Sequence, residues 1–529
     1  MVDRFFINDK KRKRKEDEEV KNSDDEDFLG HGGIEDMNLQ ASEGEESEEE
    51  IETAAQKRLR LAKRYLGKIQ SQAAGVEGEI DAEEIDKELI ASRLQQDVLE
   101  ESGKVYKNIA DKYLDKEYTE DDIRNVHPGN KGHKLTVTSV AVAVVPERGV
   151  QSNTPETYIY SASKDGSIIK WDFWTGKRLH VFEGGLKPTN KLKKYLGTVK
   201  LKEHIGHTDI IYSLAASYDG KYIASGGKDK LINIWSVGED KHLKAFVQHR
   251  DSVTSLAFRK GSNQLYSASM DRTIKLWNVD ELAYVETLFG HQDNITDIDT
   301  LQRERCITSG ARDRTVRMWK ILEESQLVYR AGSGNNTGEE VEGSFKKDTK
   351  KARPYGGSLD AIALIDEDHF VSGSDSGAIS LWNINKKKPY YTRLYCHGKG
   401  RIISSTEEED DTTKEKRTLY CNWIISLASV PYSDLFASGS CDGKIKLWKV
   451  AENMKSFSPV ATIPMDGFIN SIKFVLTPDP EAQNSKDPEV LLRKDNELVH
   501  MVVGVGQEHK FGRWWNLKGI KNKVCIISL

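Results

Sequence analysis

The sequence is short of several residue types on which particular chemistries depend. Five cysteines, Cys306, Cys396, Cys421, Cys441 and Cys525, are scattered over 529 residues with no C-x-x-C spacing. That argues against a zinc site or a disulfide framework and for a reducing compartment, with core packing as their expected fate. No apolar run approaches the eighteen residues of a membrane-spanning helix, and the stretch from Met1 has no signal-peptide core; a soluble, intracellular protein is expected, with no membrane partner. Also missing are a phosphate-binding glycine loop, a metal-ligand cluster and an unrepeated nucleophile beside a base, so no catalytic residue, metal, cofactor or small-molecule substrate is expected. The formal net charge of −6 sums a basic cluster, an acidic stretch and a mixed remainder, and only its distribution is informative.

What the chain has in abundance is one recurring pattern. SASMDRTIKLWNV, beginning at Ser267, returns as SASKDGSIIKWDF at Ser161, SGGKDKLINIWSV at Ser225, SGARDRTVRMWKI at Ser309, SGSDSGAISLWNI at Ser372 and SGSCDGKIKLWKV at Ser438, with a weaker seventh copy, GVGQEHKFGRWWN, at Gly504. Aligned on Trp171, Trp235, Trp277, Trp319, Trp382, Trp448 and Trp514, the first six copies carry a serine ten residues upstream. Five carry an aspartate six upstream: Asp165, Asp229, Asp271, Asp313 and Asp442. Trp235, Trp277 and Trp319 stand 42 residues apart, the period of a four-stranded propeller blade. A lone sheet of that size leaves both faces open, so the units must stack, and seven anchors predict seven blades. The other spacings, 63 to 66 residues, read as the same unit with insertions of about twenty residues in surface loops.

Within a copy, QLYSASM reads as a strand, Asp271 and Arg272 turn it, TIKLWNV runs back with period-two alternation and AYVETLF makes the outer strand. His207, His249 and His291 each precede a tryptophan by 28 residues. This pattern resembles the WD-repeat family, in which His, Ser, Asp and Trp form a hydrogen-bonded tetrad within a blade. The resemblance implies one tetrad of His207, Ser225, Asp229 and Trp235, a second of His249, Ser267, Asp271 and Trp277, and a third of His291, Ser309, Asp313 and Trp319. A buried indole N–H, carboxylate and hydroxyl each need partners. Because the set recurs blade after blade beside a tryptophan, it reads as structural rather than as a hydrolase triad. Gly132-His133 opens the first blade. The blades around three polar insertions, between 330 and 357, between 396 and 420 and from Thr477, lack a Gly-His pair and are expected to be held by packing more than by a full tetrad. The final NKVCIISL is either the outermost strand of the last blade or leaves that place to an N-terminal segment that locks the ring.

The fold class expected is therefore all-β, a seven-bladed WD-repeat β-propeller over 130–529, preceded by a disordered and partly helical extension. Lys10, Lys11, Arg12, Lys13, Arg14 and Lys15 form a compact basic run suited to nuclear import. The acidic, aromatic-poor stretch to about residue 53 offers too little apolar surface to offset the entropy of ordering. Ser23, Ser42 and Ser47 each precede an acidic residue by three positions, as acidophilic kinases prefer. From 54 to 115 helical periodicity takes over, first in AAQKRLRLAKRYLGKIQ and then in EEIDKELIASRLQQDVLEESGKVYKNIADKYL.

In a WD-repeat propeller the turn carrying the aspartate shares a rim with the loop carrying the histidine. Lys164, Lys228, Lys230, Arg272, Arg312 and Arg314 flank that aspartate in blades one to four, whereas blades five and six offer Asp375, Ser376 and Cys441. One arc of the rim is expected to be basic and so to suit phosphate oxygens, bases or acidic protein segments. KRLRLAKRYL, ELIASRLQQDV, SGARDRTVRMWKI and EHKFGRWW occur in this order, and together they resemble the family of WD-repeat 55-kDa proteins of the U3 small nucleolar ribonucleoprotein, the ribosomal RNA-processing protein 9 family. The resemblance spans the chain from Ala54 onward. It implies a nucleolar, non-catalytic subunit of the small-subunit processome that recognises the box B/C region of U3 small nucleolar RNA beside a small kink-turn-binding protein and acts toward 18S rRNA. Arg312, Arg314, His509, Lys510 and Arg513 lie in the matching motifs and are its candidate contacts. The alternative is a protein-interaction scaffold, such as a chromatin or ubiquitin-ligase adaptor, whose basic arc reads acidic peptides.

Overall fold

The computed structural model describes residues 106–114, 116–119, 122–126, 132–145, 156–185, 206–331, 357–400, 420–478, 497–513 and 515–529. The basic run, the acidic tail with its three serines, the first helical segment, most of the second and Trp514 lie outside these residues, as do the bodies of the insertions.

Seven four-stranded antiparallel sheets make the ring, with one two-stranded ribbon, Lys399–Gly400 with Tyr420–Cys421, at the base of an insertion. Blades one to six occupy 137–182, 211–246, 253–289, 295–330, 359–393 and 424–464. Blade three is representative: Val253–Phe258 lies inside, Gln264–Ser269 and Thr273–Asn278 follow, and Ala283–Phe289 is the outer edge. Its third strand buries Ile274 and Leu276 on one face and Trp277 on the other, as a strand packed between two neighbouring sheets does, while Lys275 stays half-exposed.

Every inner strand carries a register shift near its first residue, at Val137/Ser139, Ile211/Ser213, Val253/Ser255, Ile295/Asp297, Leu359/Ala361, Ile424/Ser426 and Ile469/Ser471. The bulged residue turns its side chain toward the next blade. Thr138 donates to the Ile211 carbonyl at 2.6 Å, Thr254 to Ile295 at 2.7 Å and Thr296 to Leu359 at 2.6 Å. The same stitch closes the circle, for Asn470 of blade seven donates to the Val137 carbonyl of blade one at 2.8 Å. Side chains thereby satisfy the polar groups of strands too far apart to pair as a sheet.

Closure falls to the N-terminal segment. Blade seven consists of Phe468–Pro478, Glu497–Gly506 and Lys523–Ser528, with Ile123–Val126 as its fourth and outer strand, paired from Ile123 with Ile527 to Val126 with Val524. NKVCIISL is thus the third strand, not the outermost, and the ring begins before residue 130. Gly504 pairs with Val524 and Met501 with Ile527, so the place that a tryptophan holds in the other blades belongs to Ile527, fully buried. The seventh copy aligned on Trp514 is therefore out of register: 507–522 connects two strands instead of containing one.

Of the expected helical extension, 106–114 is described, and it holds a bridge at Lys107 and a single 3-10 turn, Ala110–Tyr113. Asp434, buried, accepts the backbone N–H groups of Ile109 at 2.7 Å and Ala110 at 3.0 Å, and Lys449 pairs with Asp111. Ala110 and Tyr113 join the core between blades six and seven.

Candidate functional site

The tetrads fix the rim. His207 meets Ser225 Oγ at 2.8 Å and Asp229 at 2.9 Å, and the Trp235 indole donates to the same serine at 2.9 Å. His249, Asp271, Ser267 and Trp277 repeat this at 2.8 to 2.9 Å. Burial would raise the Asp271 carboxyl, but hydrogen bonds from His249 and Thr273 hold it well below the usual carboxylate range.

Blade four departs from the expected set. Its Trp319 indole and His291 both bind Thr308 Oγ1, at 2.9 Å each, while His291 keeps Asp313 at 2.7 Å. The turn joining its middle strands is one residue longer than in blade three, since Ser309 pairs with Val316 where Ala268 pairs with Ile274. The hydroxyl facing the indole is thus eleven residues upstream, and Ser309 instead meets Thr296 Oγ1 at 2.8 Å.

Two further sets were not read from the sequence. In blade one His133 and Trp171 share Ser161 Oγ at 2.8 Å. In blade six, against the expectation of packing more than a full tetrad, His397 binds Ser438 at 2.8 Å and Asp442 at 3.0 Å, and Trp448 donates to Ser438 at 2.8 Å. The ribbon and insertion after His397 lengthen its spacing to Trp448 and hide it from a fixed-distance search.

Each Asp-bearing turn is clamped to the preceding His-bearing loop by a backbone bond: Lys228 N–H to Ile210, Met270 to Ser252 and Ala311 to Asn294, at 2.7 to 2.9 Å. The residue after the aspartate, or after Ser376 in blade five, is left-handed in blades one to six. Blades one, five and six use Gly166, Gly377 and Gly443 there. Blades two, three and four use Lys230, Arg272 and Arg314, with φ of 70°, 68° and 56°. A side chain at such a φ costs about 1 kcal/mol relative to glycine. Lys228, Lys230, Arg272, Arg312 and Arg314 are all exposed, and Arg250, missed because it merely follows a tetrad histidine, joins them. The nearby carboxylates Asp209, Asp251 and Asp293 accept backbone N–H groups.

Lys164 does not belong to the exposed arc. Its ammonium is buried, donating to Glu508 at 2.9 Å and the Gly512 carbonyl at 2.7 Å; burial lowers its pKa and the Glu508 contact partly offsets this. Phe511 lies against Tyr212 of blade two (centroids 5.2 Å), Trp515 against Trp423 beside blade six and Phe468, and Lys510 borders the central channel. His509 is buried beside Trp423 and Phe511; burial, with Lys510 and Lys164 nearby, pushes it down to about 3, so it is neutral and serves packing. The Lys510 N–H is held by Asn470 and its half-buried ammonium lies over Phe511. Arg513 is exposed, 3.8 Å from Glu508.

Beneath lies a channel of about 490 Å³ walled by the inner strands. Its acidic residues are structural: Asp297 accepts Ile362 N–H at 3.1 Å and Asp299 accepts Leu364 N–H at 2.8 Å. Burial pushes Asp299 up to about 6. Among the described residues no group of His, Cys, Asp and Glu could hold a metal ion.

The WD40 family (WD domain, G-beta repeat) matches residues 198–236, 240–278, 283–320 and 413–449. The chain is 40% identical over 481 residues to U3 small nucleolar RNA-interacting protein 2 of Mus musculus, covering 90% of this chain and 82% of that protein. It is 33% identical over 580 residues to Ribosomal RNA-processing protein 9 of Saccharomyces cerevisiae, with 97% of each covered. The chain belongs to the ribosomal RNA-processing protein 9 family. Two solved structures of that family, titled "Structure of U3-55K" and "Crystal structure of RRP9 WD40 repeats", superpose with TM-scores of 0.57 and 0.58 at 38% identity, covering 78% of this chain and 99% of each of those. The family's WD-repeat propeller is thus the fold on which the cationic arc of blades two to four stands.

Proposed function

We propose that this protein is a non-catalytic U3 small nucleolar RNA-binding subunit that works in pre-ribosomal RNA processing, in the nucleolus, as part of the small-subunit processome. The observation that carries the reading is the use of Lys230, Arg272 and Arg314, in three consecutive blades, at turn positions where glycine would be less strained. Strain kept at a surface site favours a role for the side chain it displays. Arginines on a rigid rim suit phosphate oxygens and base edges. Names of relatives agree: the mouse and human proteins are called U3 small nucleolar RNA-interacting protein 2.

In finer detail, the arc formed by Lys228, Lys230, Arg272, Arg312 and Arg314, with Arg513, engages the box B/C region of that RNA beside a small kink-turn-binding protein, toward 18S rRNA maturation. Lys10 to Lys15 serve nuclear import. His509 and Lys164 support the rim instead of touching the ligand.

Replacing Arg312 and Arg314 together with alanine tests this. Affinity for a U3 transcript should fall, and the slope of log affinity against log salt should become shallower by roughly 0.7 to 0.9 per lost phosphate contact. Unchanged affinity and slope, with loss of a copurifying acidic protein, would establish the scaffold reading instead.

A further inference from the structure

Outer strands of the blades end on a regular pattern. Phe182, Phe246, Leu288 and Tyr329 pair with the isoleucine or valine two residues after the left-handed turn position and point inward, Phe182, Phe246 and Tyr329 being buried. The following residue therefore points outward. It is Glu183 in blade one, Val247 in blade two and Arg330 in blade four, but in blade three it is Phe289, 70% exposed. An aromatic ring there contributes nothing to the core that Leu288 does not already provide.

Its surroundings are rich in arginine, and the nearby ammonium of Lys275 is engaged with Thr287 at 2.7 Å. Phe289 pairs with Thr273, the residue after left-handed Arg272. On the other side, Arg317 of blade four reaches over the next residue, Gly290: a Cβ there would lie 2.6 Å from Arg317 Nη1. Arg317 Nη1 is held by Gln326 at 2.8 Å, yet its Nε is shielded from solvent and has no hydrogen-bond partner. Arg330 pairs with Thr315, which follows left-handed Arg314. The junction of blades three and four thus offers an exposed ring and four guanidinium groups.

We propose that Phe289, with Arg272, Arg314, Arg317 and Arg330, forms a stacking site for one unpaired nucleotide of the bound RNA. The ring stacks on the base, and the guanidinium groups neutralise its phosphates and hydrogen-bond its edge. Planar forks beside an aromatic face favour a base over an acidic peptide, for which point charges suffice. This rests on the RNA reading above and extends it from backbone contact to recognition of a looped-out base.

The test uses the full chain with a U3 transcript and, separately, a blunt, fully paired RNA duplex. Phe289→Ala should lower affinity for the transcript by roughly 10- to 100-fold, the worth of one base–aromatic stack, with an unchanged salt slope and melting temperature. Affinity for the duplex should not change. Phe289→Trp should restore binding, with its fluorescence quenched on RNA addition. If Phe289→Ala binds the transcript normally while Arg312→Ala/Arg314→Ala does not, the stacking site is wrong and the rim reading stands. Should Phe289→Ala instead release a protein from the purified particle, the junction is a protein-docking surface, and if the wild-type chain ignores the transcript, both readings fall.

Discussion

Thr308 shows how a single residue decides a blade. It satisfies both the Trp319 indole and His291, so Thr308→Val, which keeps the shape and removes the oxygen, leaves two buried polar atoms without a partner. The expected loss is about 1–3 kcal/mol per stranded group, against less than about 1 kcal/mol for Ser309→Ala, as equilibrium denaturation will measure. A fixed ten-residue offset pointed to Ser309, because the extra turn residue in blade four leaves no mark on the Ser-to-Trp spacing. His509 makes a second prediction. The native ring stays neutral down to about pH 3, whereas the unfolded chain takes up a proton below about 6.5. Acid therefore favours the unfolded state, and stability lost on descending from pH 6 to 4 should be smaller in His509→Gln by about 1.4 kcal/mol per unit, read as urea midpoints of the two proteins across that range. Arg272→Gly should do opposite things to stability and to the proposed RNA binding: relief of the left-handed φ of 68° should raise stability by about 1 kcal/mol, while affinity for a U3 transcript should fall.

Among the elements, the strands of blades one to six were readable because the Trp-anchored pattern, period-two alternation and turn residues agree in each copy. Blade seven was not, since Ile527 holds the tryptophan's place and its third strand begins at Lys523. His397 and Glu508 escaped for a related reason: each acts on a residue far along the chain, Ser438 and Lys164, where no local spacing constrains it. The closing strand is open to a direct check. A chain lacking residues 1–105 should keep its melting temperature. A chain lacking 1–127 loses the outer strand of blade seven and the buried Ala110, Tyr113, Tyr118 and Val126. That removal should cost on the order of 5 kcal/mol and expose the Lys523–Ser528 edge to proteolysis, compared by melting and by timed protease digestion.

At the scale of the molecule, charge is arranged by blade rather than by net sum. A formal −6 coexists with an arc of exposed cations across blades two to four, because the acidic residues beside it are committed to backbone groups or, like Glu508, to a buried lysine. On the proposed function, raising salt should therefore weaken RNA binding steeply while leaving thermal stability nearly unchanged, since exposed charges contribute little to folding.

Asn125 and Cys525, in contact across the seam, are 400 residues apart in sequence. At 5–20 residues per second, a ribosome needs roughly 20 to 80 s to span that interval. The first strand of the wheel is thus made early and must wait, unpaired, until its partner Lys523–Ser528 has been made. A chain that stops before Lys523 has no partner to offer Ile123–Val126, so the wheel's last joint cannot form however well the other blades have folded.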